Sequence, residues 1–181
     1  MSASEWASDD VMALILLAMR PANRLAIQIS MATGLRISDV LSLKTATLQK
    51  SNRPYVCDSK TGKRHRIYIP SELHEEALRQ AGSIWVFEGR LDKNKHRTRN
   101  AIYKDIVNAS KIIKHGGFLD SNAHITPHTA RKCAAVRIYH NKGFDAARAL
   151  LQHDKEHPEI TMLYALSDVA PCKTKRNHSH K

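Results

Sequence analysis

The chain has 181 residues, 42% of them apolar and 25% charged, a size and composition suited to one globular domain with a real core. Its 29 lysines and arginines against 17 acids give a formal charge of +12, which favours a polyanionic partner such as nucleic acid or an anionic membrane surface. The longest apolar stretch, residues 11–19, is too short for a membrane span, which needs roughly 20 residues, and the acids before it and Arg20-Pro21 after it make a poor signal sequence.

Ser8 followed by Asp9 and Asp10 predicts a helix start, with a hydroxyl cap and acids at the positive end of the dipole, and Arg20-Pro21 interrupts that helix. A second helix over about 23–33 stops at Gly34, a residue suited to a left-handed cap, and Ser38 is expected to cap a short helix through Leu43. Arg36 then lies in a helix-to-helix turn. Between Pro54 and Pro70 the pattern turns to strand, with Tyr55-Val56-Cys57 and Arg66-Ile67-Tyr68-Ile69 flanking a turn near Thr61-Gly62, and residues 84–87 suggest a third strand. The polar, basic segment 89–100 reads as a loop before a helix from Thr98 or Ala101 to Lys114. Pro127 suits the first position of a helix to about Asn141 closed by Gly143, and 145–151 and 158–165 read as further helices. The expected fold is mainly helical α+β with a small antiparallel sheet of three strands, occupying 1–172, followed by a basic flexible tail over 173–181.

His128 and Arg131, three apart on one helix, share a face and can grip one phosphate; the plainer alternative is a chance spacing of two solvated groups. Arg36 could simply pair with Asp39, but an arginine fork holds two phosphate oxygens at once, and two forks, Arg36 and Arg131, would neutralise a pentacoordinate transition state. Lys60, Lys63, Arg64 and Arg66 form a basic run without an acid, suited to backbone phosphates. Lys95, Arg97 and Arg99 add a second basic segment.

The order Gly34-Leu35-Arg36, Ser59-Lys60-Thr61-Gly62, His128-x-x-Arg131, Leu151-Gln152-His153 and Thr161-x-x-Tyr164 resembles the catalytic domain of the tyrosine recombinases, the phage-integrase family. That resemblance implies Arg36, Lys60, His128, Arg131, His153 and Tyr164 as the catalytic set. Lys60 would be the general acid for the departing 5′ oxygen, and Tyr164 the nucleophile that forms a 3′-phosphotyrosyl intermediate, which needs no ATP to religate. Gln152 departs from the glycine usual before this histidine, and His157 is a rival to His153. The partners implied are double-stranded DNA, further protomers in a synaptic tetramer and accessory DNA-bending proteins, in the cytoplasm of a bacterium or phage-infected host. Family members usually carry an N-terminal core-binding domain, whereas this chain begins almost at the catalytic domain, as a fragment or a short member would.

Two other functions remain open on the sequence: a type IB topoisomerase-like nicking and closing enzyme, and a non-catalytic DNA-binding relative. No cofactor or metal is expected. Cys57, Cys133 and Cys172 are too scattered for a disulfide framework or a Cys-x-x-Cys site, fitting a reducing cytosol, and the 11 histidines show no tetrahedral zinc spacing.

Overall fold

The computed structural model describes residues 4–153 and 156–169, so the basic tail and Cys172 lie outside the described residues. Its elements are α1 (Asp9–Leu17), α2 (Pro21–Thr33), α3 (Ile37–Leu41), α4 (Thr45–Leu48), β1 (Tyr55–Cys57), β2 (Arg64–Arg66), α5 (Ser71–Gln80), α6 (Arg99–His115), α7 (Pro127–Lys142), α8 (Phe144–Leu151) and α9 (Pro158–Ala165). Ser8 caps α1, its hydroxyl accepting the Val11 N–H at 3.4 Å, and Pro21 opens α2 rather than merely ending α1. No described helix is long and apolar enough to cross a membrane.

Apolar spacing decides which helix is central. Leu25, Ala26, Ile27 and Ile29 of α2 are all fully buried, so α2 is covered on nearly every side, packing against α3, α5 and α7. Helix α7 buries Ala130, Cys133, Ala134, Ala135 and Val136 and packs on α2, α8 and α9. It is therefore the beam that joins the first half of the chain to the last.

Among the described residues the sheet has two strands, not three. Tyr55 pairs with Arg66, Val56 with His65 and Cys57 with Arg64 in antiparallel register. Hydrogen bonds from Ile67 N to Pro54 O (3.1 Å) and Ile69 N to Asn52 O (2.9 Å) continue the pairing beyond the strands. The segment 84–87 makes only an isolated bridge, Lys44 to Trp85. Val86 and Phe87 are both buried, so the segment lacks the inside–outside alternation of a strand, and Val86 N bonds Leu43 O (3.0 Å) while Thr45 N bonds Ile84 O (3.1 Å). It plugs the core beside α4 and leaves the hairpin edge alone.

Candidate active site

Gly34 closes α2 at φ +71°, and a Cβ there would stand 2.7 Å from Leu150 Cγ. The turn that follows delivers Arg36 as the N-cap of α3, in extended conformation. Ser38, expected as the cap, lies inside α3 instead, because the Arg36 carbonyl already accepts the N–H groups of Asp39 (2.9 Å) and Val40 (3.0 Å). The Arg36 guanidinium pairs with Asp58, not Asp39. Alanine at position 34 would meet both a left-handed backbone and the Leu150 side chain. Gly34→Ala should cost about 1–3 kcal/mol in a urea melt, and an unchanged midpoint would contradict this turn geometry.

Asp58 is 2% exposed and organises the hairpin turn. Its Oδ1 accepts the backbone N–H groups of Lys60 (2.9 Å) and Thr61 (2.8 Å), while Gly62 at φ +69° completes the turn. Burial alone would raise the Asp58 carboxyl, but the Thr61 and Lys60 N–H groups, and then Arg36, outweigh it and hold it below its usual range. Asp39, also buried, accepts the Ser59 N–H at 3.2 Å. Lys60 is exposed at the tip so formed.

Thr126 and Thr129 form a reciprocal capping box at the start of α7, with Pro127 in its first turn, and this fixes the positions of His128 and Arg131. Arg131 is 3% exposed, its Nη1 donating to Gly34 O (2.6 Å) and its Nη2 to Leu151 O (2.5 Å). Burial and then the charge of Arg36 push its pKa down to about 10, so it remains charged at neutral pH. Arg36, Arg131, His128, Ser38 and Arg99 line one pocket.

Gln152 ends α8 in the left-handed conformation, φ 53°, and turns the chain into His153. His153 Nδ1 and the buried Thr161 Oγ1 share a hydrogen bond at 3.1 Å. The imidazole meets the Tyr164 ring edge-on, with centroids 5.5 Å apart and planes at 77°. His157, the rival, instead bonds Glu159 at the surface (3.0 Å). Lys132 Nζ lies 5.9 Å from the Tyr164 ring centroid.

Burial, followed by the charges of Arg131, Arg36 and Lys60, pushes the His153 imidazole down to about 4. His128 shifts the same way, through burial and then Arg99, Arg131, Arg36 and Lys132. Both rings are neutral at pH 7. Because the unfolded chain binds these protons more readily, folding stability falls as pH drops from the ordinary histidine value of 6.5 toward about 4. His153→Gln should lose less melting temperature than the parent chain between pH 7 and pH 5; equal losses would contradict the burial of this ring.

The six residues singled out from the sequence thus converge. Arg36, His128 and Arg131 share the pocket, His153 and Tyr164 touch, and the Lys60 charge is close enough to depress His153. The other basic residues divide. Arg64 and Arg66 lie against Tyr55 on the exposed hairpin face, at 5.0 Å and 6.0 Å from the ring, and Lys63 is exposed at the turn. Lys95 is exposed and pairs loosely with Asp92 at 3.5 Å. Arg97 is tied to the scaffold, its Nη1 donating to Asn23 Oδ1 at 2.7 Å, while Arg99 opens α6 and enters the pocket. Among the described residues no group of three histidine, cysteine or acidic side chains could hold a metal ion.

The sequence model of the Phage integrase family matches residues 6–170. The chain belongs to that family. The integrase-family domain is 28% identical over 138 residues to "Probable integrase/recombinase YoeC" of Bacillus subtilis (strain 168), covering 73% of this chain and 70% of that protein. Its fold is similar to that of a lambda integrase dimer bound to a COC′ core site, with a TM-score of 0.76 at 17% identity over 94% of this chain and 50% of the other. XerA recombinase gives 0.68 at 19% identity, over 94% and 66%. The lambda integrase catalytic core gives 0.69 at 19% identity, with 84% of this chain covering 93% of that one. The chain thus spans half to two thirds of the longer structures and nearly all of the catalytic core. Family and fold together make it a tyrosine-recombinase catalytic domain.

Reading the sequence missed the part played by Asp58. Its signal was faint: between Arg36 and Pro70 the only acids are Asp39 and Asp58, and Asp58 directly precedes Ser59-Lys60-Thr61-Gly62.

Proposed function

We propose that this integrase-family domain cleaves and rejoins duplex DNA site-specifically through a 3′-phosphotyrosyl intermediate. The observation that carries the reading is the convergence of two guanidiniums, Arg36 and Arg131, and a neutral imidazole, His128, on one pocket beside the His153–Tyr164 ring pair. Two fixed cations in a partly buried site stabilise charge on the non-bridging phosphate oxygens, with little reorganisation because Arg131 is already locked by two carbonyls. The Tyr164 phenol attacks phosphorus and the bond to the 5′ oxygen breaks. The unprotonated imidazoles are the acceptors at hand for the phenolic proton, and Lys60 supplies a proton to the leaving oxygen. A second strand's 5′ hydroxyl reverses these steps and restores the phosphodiester.

Lambda integrase as a dimer on a core site and XerH bound to its difH substrate support duplex DNA and other protomers as partners. A tetrameric synapse with accessory DNA-bending proteins is the assembly that strand exchange would use. On the hairpin, Tyr55 with Arg64 and Arg66, together with Lys63, presents a charged and aromatic face for backbone contacts, and Lys95 and Arg99 are further cations for the same partner. Nicked suicide duplexes from a randomised pool test the reading. An SDS-resistant protein–DNA adduct is expected; binding without an adduct would indicate a non-catalytic relative, and plasmid relaxation without exchanged products a nicking and closing enzyme.

A further inference from the structure

Resting on the recombinase reading above, we propose that Asp58 is a positioning residue that couples the grip of Arg36 to the placement of Lys60. One carboxylate serves both. Its Oδ2 takes the Arg36 guanidinium and its Oδ1 takes the Lys60 and Thr61 backbone N–H groups, so the cation for the phosphate oxygens and the acid for the leaving oxygen share a single anchor. The anchor is held firmly in turn. Asp58 N donates to Lys63 O at 3.0 Å, its carbonyl accepts the Gly62 N–H at 2.8 Å, and its side chain is almost wholly shielded from water.

The local charge balance explains why an acid can sit beside groups meant to hold a phosphate. Arg36, Arg131 and Arg99 line one pocket, with the charges of Lys60 and Lys132 acting on its histidines, and Arg131, pushed down first by its burial, is lowered further by the charge of Arg36. Pairing with Asp58 occupies one edge of the Arg36 fork and leaves its remaining donors for substrate. Asp39, the other buried acid here, reaches Ser59 in the same turn but makes no ion pair with Arg36, so the two acids are not equivalent.

The test is Asp58→Asn in the full chain, measured by single-turnover cleavage of a nicked suicide duplex. The amide oxygen can still accept the turn N–H groups, but the ionic hold on Arg36 is gone. Cleavage should fall at least about tenfold, the scale of a lost charged hydrogen bond. Non-covalent DNA affinity should be equal or tighter, because a negative charge has left a phosphate site. A bridging 5′ sulfur, which needs no proton, should not restore the rate, since the turn around Lys60 persists. In an Arg36→Ala background the same substitution should cost less than about twofold, because both act through one guanidinium. Should the amide variant melt below the assay temperature, Asp58→Ser keeps an acceptor for the turn and repeats the comparison. Parent-like cleavage, full restoration by sulfur, an undiminished effect without Arg36, or weaker DNA binding in step with lost stability would each overturn the proposal. Absence of any adduct from the parent chain would instead sink the recombinase reading itself.

Discussion

Replacing Tyr164 with phenylalanine should abolish the SDS-resistant adduct on nicked duplexes while leaving non-covalent affinity nearly unchanged. The ring stays, and with it the edge-on contact to His153 at 5.5 Å and the approach of Lys132. Only the oxygen that would bond phosphorus is removed. A persisting adduct would shift the nucleophile to another phenol. Tyr139, stacked edge-on against His140, and Tyr103, 38% exposed on α6, are the ones to test next.

Substituting Lys60 with alanine should slow cleavage of ordinary DNA by about 10²–10⁴-fold, the usual worth of a positioned proton donor. A duplex with sulfur at the bridging 5′ position has a leaving group that needs no proton, so Lys60→Ala should cleave it at close to the parent rate. Arg36→Ala should not be rescued in this way, because its guanidinium acts on the phosphoryl oxygens. Equal rescue of both, or of neither, would erase the proposed division of labour. The geometry favours the division: Lys60 is exposed at the end of a turn that two backbone hydrogen bonds hold in place, whereas Arg36 is half-enclosed in the pocket.

The elements that could be read from the sequence are those with local punctuation. Ser8 before two acids, Gly34 after Thr33, Pro127 with Thr126 and Gly143 after Lys142 each act within one helical turn, and the helices begin and end there. Helix α5 has Glu72 in its first turn and Arg79 in its last but no capping side chain. Its only apolar side chains beyond alanine are Leu73 and Leu78, set among charged residues, and packing against α2 and α4 holds it in place. The supposed third strand failed for a related reason: a short apolar run has no intrinsic preference between a ladder and a core plug, and the partner segment near Leu43 decides.

At the site, residue types and order could be read, but pairings could not. Asp39, three residues on, is the plainer partner for Arg36 in the sequence, yet the acid it pairs with lies 22 residues away at the hairpin turn. Gln152 is the converse case. It departs from the glycine usual in the family, but the backbone it adopts, φ 53°, is the left-handed one that glycine permits most easily. The geometry survives the change of residue, and Leu151 O still meets Arg131.

The docking of α9 against α7 and α8 has a consequence for how the protein comes into being. Arg36, Lys60, His128 and Arg131 all precede Tyr164 in the chain, so a ribosome makes the proposed phosphate-binding and acid groups first and the proposed nucleophile last. A chain that stops before α9 would lack the proposed nucleophile. On the proposed reading, the nucleophile is therefore synthesised only after the groups that would steady the transition state.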